Sequence, residues 1–106
     1  MAKEIHTLNF EEEVLRNPKP AVIDFWAQRC STCQVVGSLI DDLDIDYDGR
    51  VTIGKVDVDK YPRIAEHFGV VSIPSILFLK KGNVIHRMTG TVSKREIVEE
   101  IERMLI

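Results

Sequence analysis

Two cysteines three residues apart, in Cys30-Ser31-Thr32-Cys33, are the side chains best suited to chemistry. They stand where a strongly apolar run, Ala21 to Ala27, gives way to helical periodicity, so a buried strand ends and a helix begins at the pair. A helix N-terminus offers unpaired N–H groups and a partial positive charge of about half a unit. It stabilises a thiolate, the reactive form of cysteine. A spacing of three puts the second sulfur on the same helical face, one turn on. The two sulfurs can then close a disulfide with little rearrangement. Cys30 is expected to be exposed, and Cys33, which joins the apolar stripe, to be covered. The alternatives are half of a zinc site, a shared iron–sulfur cluster, or two unrelated core cysteines. Zinc needs two more ligands, and His6, His67 and His86 have no paired spacing. A cluster needs more cysteines unless subunits share it. The strand-to-helix placement favours redox chemistry.

Asp24 interrupts the apolar strand six residues before the first cysteine. A carboxylate is almost never buried without a partner, and desolvation raises its pKa. It is read either as a structural acid or as the proton acceptor for the cysteine pair. Lys55, on the adjacent expected strand, is placed to tune it. A third signal is Ser72-Ile73-Pro74-Ser75 at the start of another apolar strand, where proline is sterically permitted.

The elements that must position these residues follow from periodicity. Ile5 to Leu8 reads as an edge strand, and Asn9, with Glu12 three residues on, as the N-cap of a helix carrying Phe10 and Val14. Cys33, Val36, Ile40, Leu43 and Tyr47 form a helical stripe, widened by Val35 and Leu39. Asp41, Asp42, Asp44, Asp46 and Asp48 form its solvated outer face. Val51 to Val58 is a strand, and Asp59 caps a short helix that begins near Pro62 and buries Tyr61, Ile64, Ala65 and Phe68. Ser75 to Leu79, Lys80-Lys81-Gly82-Asn83 and Val84 to Met88 read as a hairpin. Gly90 follows. Ser93 and Glu96 form a capping box for a last helix with Ile97, Val98, Ile101 and Leu105. The order is β-α-β-α-β-α-β-β-α, an α/β chain with a mixed sheet covered on both faces.

At 106 residues the chain is expected to form a single domain, residues 1–106. Its net charge of -3 argues against nucleic acid and against an anionic membrane surface as partners. No apolar run approaches the roughly 20 residues that span a bilayer. The polar start Met1 to His6 lacks a signal-peptide core, so a cytoplasmic location is expected.

Asp24-Phe25-Trp26-Ala27, Cys-x-x-Cys, Ile73-Pro74, Lys81-Gly82 and Gly90 together, in order and spacing over essentially the whole chain, resemble the thioredoxin family. The resemblance implies a central five-stranded mixed sheet flanked by four helices. It implies that Cys30 attacks and Cys33 resolves, with Asp24 the buried acid beside the resolving cysteine and Lys55 near it. Pro74 corresponds to a cis-proline facing the site. Ile73 would offer backbone bonds to a substrate strand, and Trp26 would pack beneath the active-site loop. Arg29, Ser31, Thr32 and Gly90 complete the expected substrate-binding rim. The implied partners are disulfide-containing proteins and a thioredoxin-reductase-like electron donor, with no bound cofactor or metal and a monomeric chain. The departures are Ser31-Thr32 where the family has Gly-Pro, Arg29 where it has Trp, and Ser38, after Gly37, where it has a kinking Pro. They bear on redox potential and on partner choice. The rival readings are an isomerase- or oxidase-like protein that donates its disulfide, and a binding module with vestigial redox activity.

Overall fold

The computed structural model describes residues 1–106. Five strands form one sheet in the order β1-β3-β2-β4-β5: β1 Lys3–Glu4, β2 Ala21–Trp26, β3 Thr52–Asp57, β4 Ser75–Lys80 and β5 Asn83–Thr89. β1, β3 and β2 run parallel, while β4 is antiparallel to β2 and to β5. Four helical segments cover it: a single π-turn Glu11–Leu15, α1 Ser31–Asp46, α2 Pro62–His67 and α3 Lys94–Met104. The five-stranded mixed sheet with four helical segments is the thioredoxin fold that the resemblance implied. No helix is long and apolar enough to cross a membrane.

Alternation along β2 divides the core in two. Val22 faces α1 and α3 and packs with Val36, Ile40, Leu43, Ile97 and Ile101. Ala21, Ile23 and Phe25 face the other way, against Val14, Ile64, Ala65 and Phe68. A strand whose odd and even residues both meet helices must be apolar throughout, which is why β2 reads as an unbroken run. Asp24 keeps the phase of Val22, so it points at α1. Its register partner on β3 is Lys55, on the same face.

The hairpin and the last helix follow local chemistry closely. Lys81 and Gly82 have φ of 53° and 81°, the two-residue turn whose twist matches its strands. Gly82 lies against the Leu15 carbonyl, and a Cβ there would collide with that backbone. Ser93 and Glu96 form the full capping box.

Five expectations are corrected. The first strand is Lys3–Glu4 rather than residues 5–8, because Ile5 turns fully into the core while its N–H bonds the Lys55 carbonyl at 2.8 Å. Asn9 does not cap: its side chain takes the His6 N–H and donates to the Glu4 carbonyl, tying the loop before the π-turn. Val35 does not widen the buried stripe of α1, since it is 61% exposed. Asp59 does not cap α2; the Asp57 carboxylate takes the N–H groups of Asp59 and Lys60 instead. The aspartates of α1 are also not uniformly solvated. Asp41 bonds the Ala2 N–H and the Lys55 ammonium, and Asp46 pairs with Lys94.

Candidate redox site

β2 ends at Trp26, and the chain turns through Ala27 to Cys30 before α1 begins. Cys30 is the N-cap of α1, in an extended conformation, and its sulfur accepts the Cys33 N–H at 3.3 Å. A sulfur here takes the place of the usual capping oxygen. No acid occupies the first turn of α1, so the positive end of the helix is left to the sulfur. A disulfide joins Cys30 to Cys33, with Cα atoms 5.3 Å apart. Cys33 is 2% exposed, whereas Cys30 is only partly covered. The two cysteines are therefore unequal in access, as their sequence positions imply.

Of the two hydroxyls between them, that of Thr32 lies 3.4 Å from the Cys30 sulfur. Ser31 is exposed at the first helical position. Arg29 is exposed on the rim, but its guanidinium does not stand free beside the sulfur. It forms a two-pronged pair with Asp59, at 3.1 and 3.2 Å.

The Ile73–Pro74 bond is cis. Ser75 is opposite Phe25, so Pro74 stands at the same sheet end as Trp26 and the start of α1. The Gly90 N–H donates to the Pro74 carbonyl at 2.9 Å, which brings β5 to that rim as well. Pro74 is buried and Ile73 half-buried.

Behind the disulfide is a cavity of about 290 Å³, reached by Asp24, Trp26, Cys33, Gly37, Lys55 and Asp57. Met1, Ala2, Glu4 and Gln34 also line it. Asp24 has no solvent exposure, and neither carboxylate oxygen has a hydrogen-bond partner. Burial lifts its pKa from 3.8 to about 7; Lys55 opposes the rise and Asp41 adds to it. An acid with that proton affinity, sharing a cavity with a covered cysteine, is poised to exchange protons near neutral pH. The cavity that both groups line also has room for water. Lys55 does not bond Asp24. Its ammonium lies 3.1 Å from Asp41. Asp41, which the sequence places on the solvated outer face of α1, is instead half-buried beside Lys55, and its helical phase, two turns after Cys33, marks it.

The sequence profile of the thioredoxin family matches residues 1–103. The chain is 39% identical to a protein described as thioredoxin from Chlorobaculum thiosulfatiphilum, over 89% of this chain and 87% of that one. It is 38% identical to thioredoxin 2 of Chlorobaculum tepidum, over 89% and 86%. It is 31% identical to thioredoxin 1 of a Nostoc species, over 98% and 97%.

Proposed function

The chain belongs to the thioredoxin family and is a thiol–disulfide oxidoreductase, and from that premise we propose how its residues divide the work. The Cys30 thiolate attacks one sulfur of a disulfide in a protein substrate. A Cys30–substrate disulfide forms, and the other substrate sulfur leaves as a thiolate that takes up a proton. Cys33 then gives its proton to Asp24, through water in the cavity, and its thiolate attacks the Cys30 sulfur. The mixed disulfide breaks, the substrate departs with two thiols, and the Cys30–Cys33 disulfide remains. Two electrons have passed to the substrate. A reductase returns them. The observation that carries this reading is the unequal pair: a half-covered sulfur at a helix N-terminus with a buried sulfur behind it.

Arg29, Ser31, Thr32, Ile73, Pro74 and Gly90 form the rim that receives the substrate strand, with Ile73 offering backbone bonds. Trp26 supports the loop from below. Lys55 adjusts Asp24. The direction of flow as written fits a reducing compartment, the cytoplasm. The opposite direction, donation of the disulfide, has one observation in its favour, the Thr32 hydroxyl beside the Cys30 sulfur, which stabilises a thiolate. The reduction potential decides between them.

Trapping tests the division of roles. Cys33→Ser should accumulate substrates as mixed disulfides and lose turnover, while Cys30→Ser should capture few. Equal capture by the two variants, read on non-reducing gels, would overturn the assignment.

A further inference from the structure

Lys55 and Asp24 sit opposite each other on neighbouring strands, on one face of the sheet. The simplest expectation is that they pair. They do not. Both Asp24 oxygens are without a hydrogen bond, and the Lys55 ammonium is 3.1 Å from Asp41 on the covering helix. Two further features hold it there. Asp41 is fixed by a second donor, the Ala2 N–H, at 2.9 Å from the same oxygen. One turn earlier on α1, residue 37 is glycine, and a Cβ there would lie 3.4 Å from the Lys55 nitrogen. The lysine head therefore rests against a bare stretch of helix backbone with its counter-ion one turn on.

We propose that Asp41 is a positioning residue of the exchange reaction: it berths Lys55 on the helix side of the cavity and so limits how much of the lysine charge Asp24 receives. This rests on the reading of Asp24 as proton acceptor. Its consequence is that Asp24 keeps a high proton affinity although a lysine is its nearest register neighbour. Were Lys55 free to swing to Asp24, the carboxylate would be stabilised as an ion and would accept protons poorly near pH 7. The charged and titratable groups around Asp24 are Lys55 and Asp57 on β3, Asp41 and Cys33 on α1, and Glu4 with the Met1 amine on the β1 side. Burial works against ionisation of Asp41, but the Ala2 N–H and Lys55 hold its carboxyl below the ordinary carboxylate range. Asp41 thus stays charged while Asp24 titrates, and it acts as a fixed berth rather than a switch.

The test is an NMR titration of the Asp24 carboxyl in the oxidised protein, for the wild type, Asp41→Asn, Lys55→Met, the double variant and Gly37→Ala. Asp41→Asn should lower the Asp24 midpoint by about one pH unit, within the span typical of a newly available opposite charge. In the Lys55→Met background the same substitution should move it by less than half as much. Gly37→Ala puts a Cβ only in ordinary contact with the ammonium and leaves the Asp41 charge in place, so it serves as the control against which the Asp41→Asn shift is read. The pH profile of mixed-disulfide resolution should shift acidwards with it. An unmoved midpoint in Asp41→Asn, or a full shift persisting without Lys55, would overturn the proposal. The titration involves no turnover, so it is independent of whether Asp24 is the base. Unchanged resolution in Asp24→Asn would sink that reading while leaving the coupling intact.

Discussion

At the start of α3 the Ser93 hydroxyl takes the Glu96 N–H at 3.2 Å, and the Glu96 carboxylate takes the Ser93 N–H at 3.1 Å. At the start of α1 the Cys30 sulfur takes the Cys33 N–H at 3.3 Å, with no acid in the first turn to answer it. The two helices use one geometry with different atoms. At α3 the oxygen and the carboxylate satisfy the orphan donors and neutralise the helix end, which stabilises the fold. At α1 the cap is a softer acceptor and the positive end is left for a sulfur whose charge changes during the reaction. The contrast extends inward. Glu100 on α3 is 8% exposed but is bonded by Arg103, whereas Asp24, the acid facing α1, takes no hydrogen bond from another protein group. The difference is that protein groups answer the buried acid on α3, whereas the acid facing α1 borders a cavity shared with Cys33.

The largest expected effect separates these two buried acids by pH. Asp24 has an ordinary pKa of 3.8 and a folded value of about 7, so the native state holds an extra proton between those limits. Stability therefore falls as pH rises through that window and levels off above it, by about 4 kcal/mol in all. Asp24→Asn should remove this dependence, so its advantage over the wild type should grow by that amount from pH 4 to pH 8 in denaturant titrations. A constant difference between the two proteins would show that Asp24 is not held protonated by burial.

The next effect sharpens the role of sulfur as cap. Ser31→Gly/Thr32→Pro removes the hydroxyl near Cys30 and one backbone donor at the helix start. A hydrogen bond to a charged group contributes roughly 1.5–3 kcal/mol, and for a two-electron couple about 1.4 kcal/mol corresponds to 30 mV. Glutathione equilibration should find the variant more reducing than the wild type by some tens of millivolts. An equal or higher potential would mean that Thr32 does not stabilise the thiolate. The pairing of Arg29 with Asp59 leaves Thr32 the main contributor, because the cation is already answered.

The α3 side of the comparison predicts a stability effect without a redox effect. Ser93→Ala should cost about 1 kcal/mol, seen as a lower denaturation midpoint, with an unchanged reduction potential. The smallest effect comes from giving α1 what α3 already has. Ser31→Glu adds an acid to the first turn and should disfavour the Cys30 thiolate by about 0.3–1 kcal/mol. Iodoacetamide alkylation of the reduced protein at pH 7 should slow accordingly, and an unchanged rate would show that the helix end does not act on Cys30.

Much of this was legible in the residues themselves. The capping box at Ser93, the Lys81-Gly82 turn and the unequal cysteines depend on neighbours within a few positions, where spacing dictates geometry. Asp24 stood out because a charge inside an apolar run is costly to bury, although the run alone leaves the structural and the proton-accepting readings side by side. The pairings of Lys55 and Arg29 were not legible, since each joins elements whose relative register only the fold supplies. Lys55 meets an acid 14 residues back on a crossing helix, and Arg29 meets one 30 residues on. Four aspartates along α1 and Asp48 just beyond it look alike in the sequence, and only Asp41 pairs with Lys55. The first strand was misplaced because two residues of edge pairing leave almost no periodic signal.

The collision that any side chain at position 82 would suffer with the Leu15 carbonyl has a practical meaning. Hairpin tips are ordinarily where a chain is cut open, permuted or given a grafted peptide. In this molecule the tip between β4 and β5 is braced against the π-turn and has no slack to give. The Gly49 turn after α1 is different, since an added Cβ there meets nothing within 4 Å. Gly49 itself, with a φ of 82°, must stay glycine, so a fluorophore or an affinity peptide belongs at the exposed Asp48 beside it, beyond the C-terminal end of the helix whose first turn carries the disulfide.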